Sequence, residues 1–401
     1  MKYIVVLGDG MADYPVEELG GKTPLAYAKT PAMDELAGKG IVGLAHTIPE
    51  GMSPGSDTAN LAVLGYNPRV YYTGRSPLEA LSIGVDMKET DIALRCNIVT
   101  VSDDDKPYEE KIILDHSSGE ISTEDAAVLL EAVRKELEND LYKFYVGTSY
   151  RHLMIWDKGD VVELTPPHDI LGKTIGAYLP KEEALRTMMK KSYDILNHHP
   201  INEERARKGL NKANSIWFWG AGTRPSLTSF EEKTGKRGVM ISAVDLLKGI
   251  AIGAGMKVME VEGADGTLHT NYEGKACAAV DALLKEDYDF AYIHVEAPDE
   301  MGHQGSLERK LKAIEYLDER VIKVVKEKLD AAGAEYRMLI TPDHPTPLAL
   351  RTHVAEAVPF LLYDSTKECR RIGFYNEKEA TESGLVVYEG YRLIEKLFED
   401  L

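Results

Sequence analysis

The stretch HVEAPDEMGHQG, residues 294–305, sets Asp299 and His303 four residues apart, directly after the apolar run DFAYI. A second cluster, TPDHPTP at 341–347, places Asp343 beside His344 after RMLI, and His353 follows in LRTHVAEAVPF. Asp9 closes the opening run KYIVVLG. A solvated turn would account for acids alone. It does not account for carboxylate and imidazole recurring together at the ends of core-type runs. That donor mixture suits Mn²⁺, Zn²⁺ or Co²⁺, and Mg²⁺ less well. Any one of these residues, taken singly, is more often a helix cap, a turn residue or a satisfied polar group. Asp9, Asp299, His303, Asp343, His344 and His353 together are too many for one tetrahedral ion and enough for a pair.

GMSPGSDTANLAVLGYNP, residues 51–68, sets Ser56 between a glycine-bearing turn and the helical run ANLAVLG. A hydroxyl at such a turn faces backbone N–H groups and the positive end of a helix, which favours an alkoxide or a phosphate. In isolation, Ser56 or Asp57 would simply cap that helix. Beside a metal pair, Ser56 becomes a candidate nucleophile, because coordination activates an otherwise weak hydroxyl. G-S-D is not the G-x-S-x-G elbow of a hydrolase, and the order of Ser, Asp and His carries no triad logic.

Such residues need a scaffold that delivers them to one place. Strand-like runs recur at KYIVVLG, RGVMISA, MKVMEVE, DFAYIHVE, YRMLITPD and VPFLLYD. Between them lie helical stretches such as TPAMDELAGKG, EGKACAAVDALLK and LERKLKAIEYLDERVIKVVKEKLDAAG. Short continuous apolar runs separated by helices predict an α/β fold with a largely parallel sheet flanked by helices. Sites in such sheets form at the carboxyl ends of the strands, so several strands would bring these Asp and His residues to one rim. From about 88 to 235 the pattern changes: IALRCNIVTV and KFYVGTSYRHLMIW flank helices and turns, as in an α+β insert. The expected organisation is a discontinuous metal-binding domain, 1–85 and 236–401, interrupted by a smaller inserted domain, 86–235.

At 401 residues the chain is long enough for two or three domains. Its 66 acidic against 47 basic residues give a formal net charge of −19. That surface repels nucleic acid and anionic lipid, so an anionic ligand would need a local cationic pocket or bound metal. No apolar span is long enough for a membrane helix, and the N-terminus shows no cleavable signal pattern. Cys96, Cys277 and Cys369 are scattered without a CxxC pair, which fits a reducing cytoplasm.

VVLGDGMAD, GSDTANLAVLGYNP, GRSPLEA, RCNIVTV, YRHL, PPHDI, HVEAPDEMGH and TPDHPTP together resemble the archaeal-type cofactor-independent phosphoglycerate mutases of the alkaline phosphatase superfamily. The resemblance spans nearly the whole chain. It implies an alkaline-phosphatase-like two-metal domain carrying a phosphoserine at Ser56, and an insert that holds the substrate. It assigns one ion to Asp299, His303 and His353, and the other to Asp9, Ser56, Asp343 and His344. Mn²⁺ is the ion expected first, with Co²⁺, Zn²⁺ and Mg²⁺ as alternatives, and no bisphosphoglycerate is required. At Asn60 the chain departs from the bacterial branch, which carries histidine there.

The implied reaction interconverts 3- and 2-phosphoglycerate, a small phosphorylated hydroxy acid, with neither nucleic acid nor membrane as partner. The oligomeric state is left open. A second reading keeps the same metal and serine parts but phosphorylates a small hydroxy-amino acid such as homoserine. A third is plain phosphomonoester hydrolysis. The absence of a GxxxxGKS loop leans against a kinase. Arg95, Arg151 and Arg224 in the insert, and Lys248 in SAVDLLKG, are the expected grips for carboxylate and phosphate. His116, His152 and the pair His168 and Asp169 of PPHDI are the expected proton-transfer groups, although PPHDI fits a rigid turn equally well. His294 and Glu296 read as supporting residues, and His198 with His199 as an exposed loop.

Overall fold

The computed structural model of the chain describes residues 1–367 and 373–399; Cys369 lies outside the described residues. The chain divides into two compact units, Met1–Tyr72 with Ser226–Leu401, and Thr73–Pro225. Both boundaries fall earlier than the expected 85/86 and 235/236. The reason at the first is the helix Arg75–Ser82, whose Ala80 is buried with Ala93, Leu153 and Ile155 of the second unit. At the other end, Phe230 stacks on Phe290 of the first unit, 4.7 Å between ring centroids.

The strands in chain order are β1 (Lys2–Gly8), β2 (Ile41–Ala45), β3 (Asp91–Val101), β4 (Ile113–Asp115), β5 (Tyr142–Thr148), β6 (Arg151–Asp157) and β7 (Ser215–Thr223). They continue as β8 (Gly238–Ile241), β9 (Lys257–Val258), β10 (Phe290–Val295), β11 (Tyr336–Thr341), β12 (Val358–Asp364) and β13 (Val386–Val387).

The first unit is built on one sheet of order β13-β2-β12-β11-β1-β10-β8-β9. Its centre is parallel: β11, β1, β10, β8 and β9 run the same way, and β12 pairs antiparallel with both β11 and β2. β10 and β11 are buried along their length and β1 from Ile4 onward, as expected when helices cover both faces. Register then does the positioning. Leu7 stands opposite both His294 and Thr341, so the residues after β1, β10 and β11 leave the sheet at one edge.

The helices behave as their patterns predict, with one exception. The stretch from Leu307 to Ala331 is broken by a π-helical turn, Asp318–Ile322. Asp318 there accepts the Ala32 and Met33 N–H groups at the start of the helix Pro31–Ala37, whose neighbour Thr30 makes no side-chain cap. The extra backbone residue thus has a local use. No helix among the described residues is long and apolar enough to cross a membrane.

In the second unit, β3 is central, paired antiparallel with β6, β7 and β4, while β5 extends the sheet from β6. The helices Thr123–Leu137 and Glu183–Leu196 are buried in one cluster with Cys96, Met154 and Phe218. Residues paired across strands share a face. Cys96, His152 and Phe218 therefore lie on the helix-covered face, and Arg95, Asn97, Arg151 and Trp219 on the other.

Candidate active site

Asp9 follows β1, and Asp343 with His344 follow β11. The helix Ser56–Val63 begins at the serine, with Gly55 in the capping position. The Ser56 hydroxyl is therefore not used as a cap. Its Oγ lies 3.1 Å from His344 Nε2 and 3.4 Å from Asp9 Oδ2. His344 Nε2 is also 3.3 Å from Asp343 Oδ2 and 3.5 Å from Asp9 Oδ1. The backbone N–H groups of Gly10 and His344 hold Asp343 Oδ1 at 3.1 and 2.8 Å.

A second group adjoins the first. Asp299 and His303 share the short helix Ala297–Gln304, one turn apart. His303 Nε2 and His353 Nε2 approach different oxygens of Asp299, at 3.2 and 3.3 Å, and each other at 2.9 Å. The rings of His344 and His353 are 3.9 Å apart, and the Thr346 hydroxyl donates to Asp299. Gly10 runs between the groups at φ 59°, where a Cβ would come 2.5 Å from Asp299 Oδ1. Only glycine fits that passage.

Asp9, Asp343 and His344 have ligand atoms within 4.8 Å of one another, and so do Asp299, His344 and His353. Burial, then Asp343, Asp299 and Glu296, push the Asp9 carboxyl well above its ordinary range. Burial opposes ionisation of Asp299, but the hydrogen bonds and charges of the neighbouring histidines outweigh it and hold its carboxyl well below. Asp9 Oδ1 is buried with no hydrogen-bond partner among the described residues. A buried carboxylate oxygen left orphaned, three crowded carboxylates and facing imidazole nitrogens fit two divalent ions.

His294 and Asn60 support this rim. His294 is fully buried; its Nε2 lies 2.8 Å from Asp9 Oδ2 and its Nδ1 3.1 Å from Ser242 Oγ, and burial lowers its pKa to about 3. Asn60 reaches Asp343 Oδ2 at 3.0 Å. Ser242 and Tyr292, which hold these two in turn, carry no signal in the sequence beyond lying in or after apolar runs.

The sequence-predicted residues of the second unit separate by face. Arg95 forms a two-pronged ion pair with Glu79, which also takes Arg75 at 3.1 Å, and its guanidinium stacks 4.7 Å over Trp219. His168 packs edge-on against Trp219 at 5.3 Å and against His116 at 6.0 Å. Asn97 links the group, donating to the His116 carbonyl and accepting from Trp219 Nε1. Arg151 is exposed, its guanidinium 5.4 Å from the Tyr150 ring. Burial lowers the His168 pKa, and the charges of His116, Arg95 and Arg75 press the same way against Asp169. Asp169 is exposed, 3.7 Å from His168.

His152 and Lys248 have partners of their own. His152 points to the core face instead: its Nδ1 accepts the Gly147 N–H at 3.0 Å, and burial lowers its pKa to about 4. Lys248 Nζ lies 2.9 Å from the exposed carboxylate of Glu260. Arg224 stands exposed just past β7. His199 caps the helix Pro200–Arg207, while His198 is exposed beside Glu203. Asn97 and Trp219 were missed because only strand pairing reveals that they share a face with Arg95.

Residues 37–202 match the family model for 2,3-bisphosphoglycerate-independent phosphoglycerate mutase. A probable enzyme of that name from Geobacter sulfurreducens is 50% identical over 405 residues, covering 100% of both chains. The chain belongs to the 2,3-bisphosphoglycerate-independent phosphoglycerate mutases. The family member from Methanosarcina barkeri is 48% identical over 98% of each chain. A Pyrococcus horikoshii protein of known structure superposes with a TM-score of 0.81 at 31% identity, over 99% of this chain and 96% of that one. The cofactor-independent phosphoglycerate mutase of Thermoplasma acidophilum superposes with a TM-score of 0.65 at 26% identity, over 99% of each. These relatives support the mutase reading and not the phosphotransferase alternative.

Proposed function

We propose that this mutase moves its phosphoryl group through a phosphoserine on Ser56. The supporting observation is that the Ser56 hydroxyl is left uncapped at a helix start and turned toward His344 and Asp9. Ser56 Oγ forms a bond to phosphorus as the bond from phosphorus to the C3 oxygen breaks. The departing C3 oxygen takes a proton and leaves free glycerate. After the glycerate turns, its C2 hydroxyl gives up a proton and attacks phosphorus, and the bond to Ser56 breaks. The N-terminus of the helix Ser56–Val63 favours the negative phosphoryl group throughout. Two divalent ions, held by Asp9, Ser56, Asp343 and His344 and by Asp299, His303 and His353, would neutralise phosphoryl charge and lower the serine pKa. Mn²⁺ is the ion we expect, and a cytoplasmic location follows from the same reading.

The face carrying Arg95, Arg151, His116 and His168 is our assignment for gripping glycerate and moving its protons. Guanidinium forks suit carboxylate and phosphate, and an imidazole placed beside them can take up and return a proton. Arg151→Ala should raise KM for 3-phosphoglycerate by about 10- to 100-fold, the loss of one charged hydrogen bond. Steady-state kinetics on a variant with unchanged circular dichroism checks this, and an unchanged KM would remove Arg151 from the site. The reaction itself is tested by incubating Mn²⁺-loaded protein with 3-phosphoglycerate, without bisphosphoglycerate or nucleotide. We expect 2-phosphoglycerate to form; inorganic phosphate as the sole product would favour hydrolysis instead.

A further inference from the structure

Asn60 is completely buried, one helical turn after Ser56, and every polar group of its amide is engaged. Its Nδ2 donates to the Ser56 carbonyl at 2.8 Å and to Asp343 Oδ2 at 3.0 Å. Its Oδ1 accepts the Tyr292 hydroxyl at 2.5 Å. Tyr292 is itself completely buried in β10. Each bond fixes the others. With the phenol donating, the amide oxygen has to face Tyr292 and the NH₂ has to face Asp343. The reversed amide would set a carbonyl against a carboxylate and leave two buried groups mispaired, a costly arrangement.

The consequence falls on Asp343. Backbone N–H groups pin its Oδ1, and Asn60 pins its Oδ2, so the carboxylate plane is held from both sides. The same amide nitrogen holds the backbone of the serine. We infer that Asn60, oriented by Tyr292, is a positioning residue that locks the Asp343 carboxylate to the turn bearing Ser56. An uncharged amide does this without adding a further charge to a rim already crowded with carboxylates. Groups that orient a ligand in this way typically change metal affinity by about 10- to 100-fold when removed. The inference rests on the assignment of Asp343 and Ser56 to one cation given above.

The test is Mn²⁺ binding by titration calorimetry and electron paramagnetic resonance on the wild-type protein, Asn60→Ala, Tyr292→Phe and the double variant. Wild type should take up two equivalents. Each single variant should weaken one of the two by about 10- to 100-fold and leave the other unchanged. Because Tyr292 acts through Asn60, the double variant should bind no more weakly than Asn60→Ala alone. If both equivalents bind as in wild type and only the melting temperature falls, Asn60 is a core-filling residue and the inference is overturned. Additive losses in the double variant would also overturn it, since Tyr292 would then act by another route. A wild-type protein that fails to bind two equivalents would overturn the site assignment itself, and this inference with it.

Discussion

Ser56→Ala should lower mutase turnover by about 10⁴-fold or more, on the scale seen when nucleophiles of covalent catalysis are deleted. On the proposed mechanism the substitution removes two things together, the oxygen that would receive the phosphoryl group and one donor to a cation. It should spare the fold. Gly55 occupies the cap position of the helix, and Ser56 is only partly buried, so neither a helix start nor packed core is lost. Ser56→Cys should do little better, because a thiolate has different geometry and prefers softer metals. A coupled assay for 2-phosphoglycerate, with melting curves alongside, separates loss of chemistry from loss of fold. Near-normal turnover in Ser56→Ala would reject the serine mechanism. Thr58 and then Ser53 would be the hydroxyls to examine next.

Removal of divalent metal should abolish activity, and Mn²⁺ or Co²⁺ should restore it. The geometry gives the reason. Without cations, Asp9, Asp299 and Asp343 crowd one buried rim, and Asp9 carries an oxygen with no hydrogen-bond partner among the described residues. Two divalent ions would relieve both defects and supply the charge that phosphoryl transfer needs. The loaded protein should therefore also melt at a higher temperature than the stripped one, because the ions bind the folded state. His303→Ala is the cleaner variant, since His303 sits partly exposed while Asp343 is wholly buried. It should lose one equivalent of metal and most turnover while keeping its circular dichroism. Full activity in protein shown by elemental analysis to be free of metal would contradict the two-ion reading.

The clustering of these residues was legible in the sequence for a physical reason. Strands buried on both faces read as continuous apolar runs, and KYIVVLG, DFAYIHV and YRMLIT duly became β1, β10 and β11. Ionisable residues directly after such runs have to emerge at a sheet edge, and parallel register put Asp9, Asp299 and Asp343 at the same one. What was not legible depends on partners far apart in the chain. β2 has a mixed, half-exposed pattern and becomes a strand by pairing with β12 and β13. The π-helical turn at Asp318 serves a helix nearly three hundred residues earlier. His152 and Arg151 are neighbours in sequence yet point to opposite faces, because side chains alternate along a strand. Asn60 stood out in the sequence only as a departure from the bacterial branch; its significance comes from Tyr292 and Asp343, which no periodicity connects to it.

The most direct measurement uses 3-phosphoglycerate labelled with ³²P, mixed with Mn²⁺-loaded wild-type protein and quenched in acid during turnover, followed by peptide mapping. Label is expected on the peptide containing Ser56, with no label in Ser56→Ala and with 2-phosphoglycerate that retains the original phosphorus. Label on a histidine, or product formed at full rate with no labelled protein at any quench time, would contradict it.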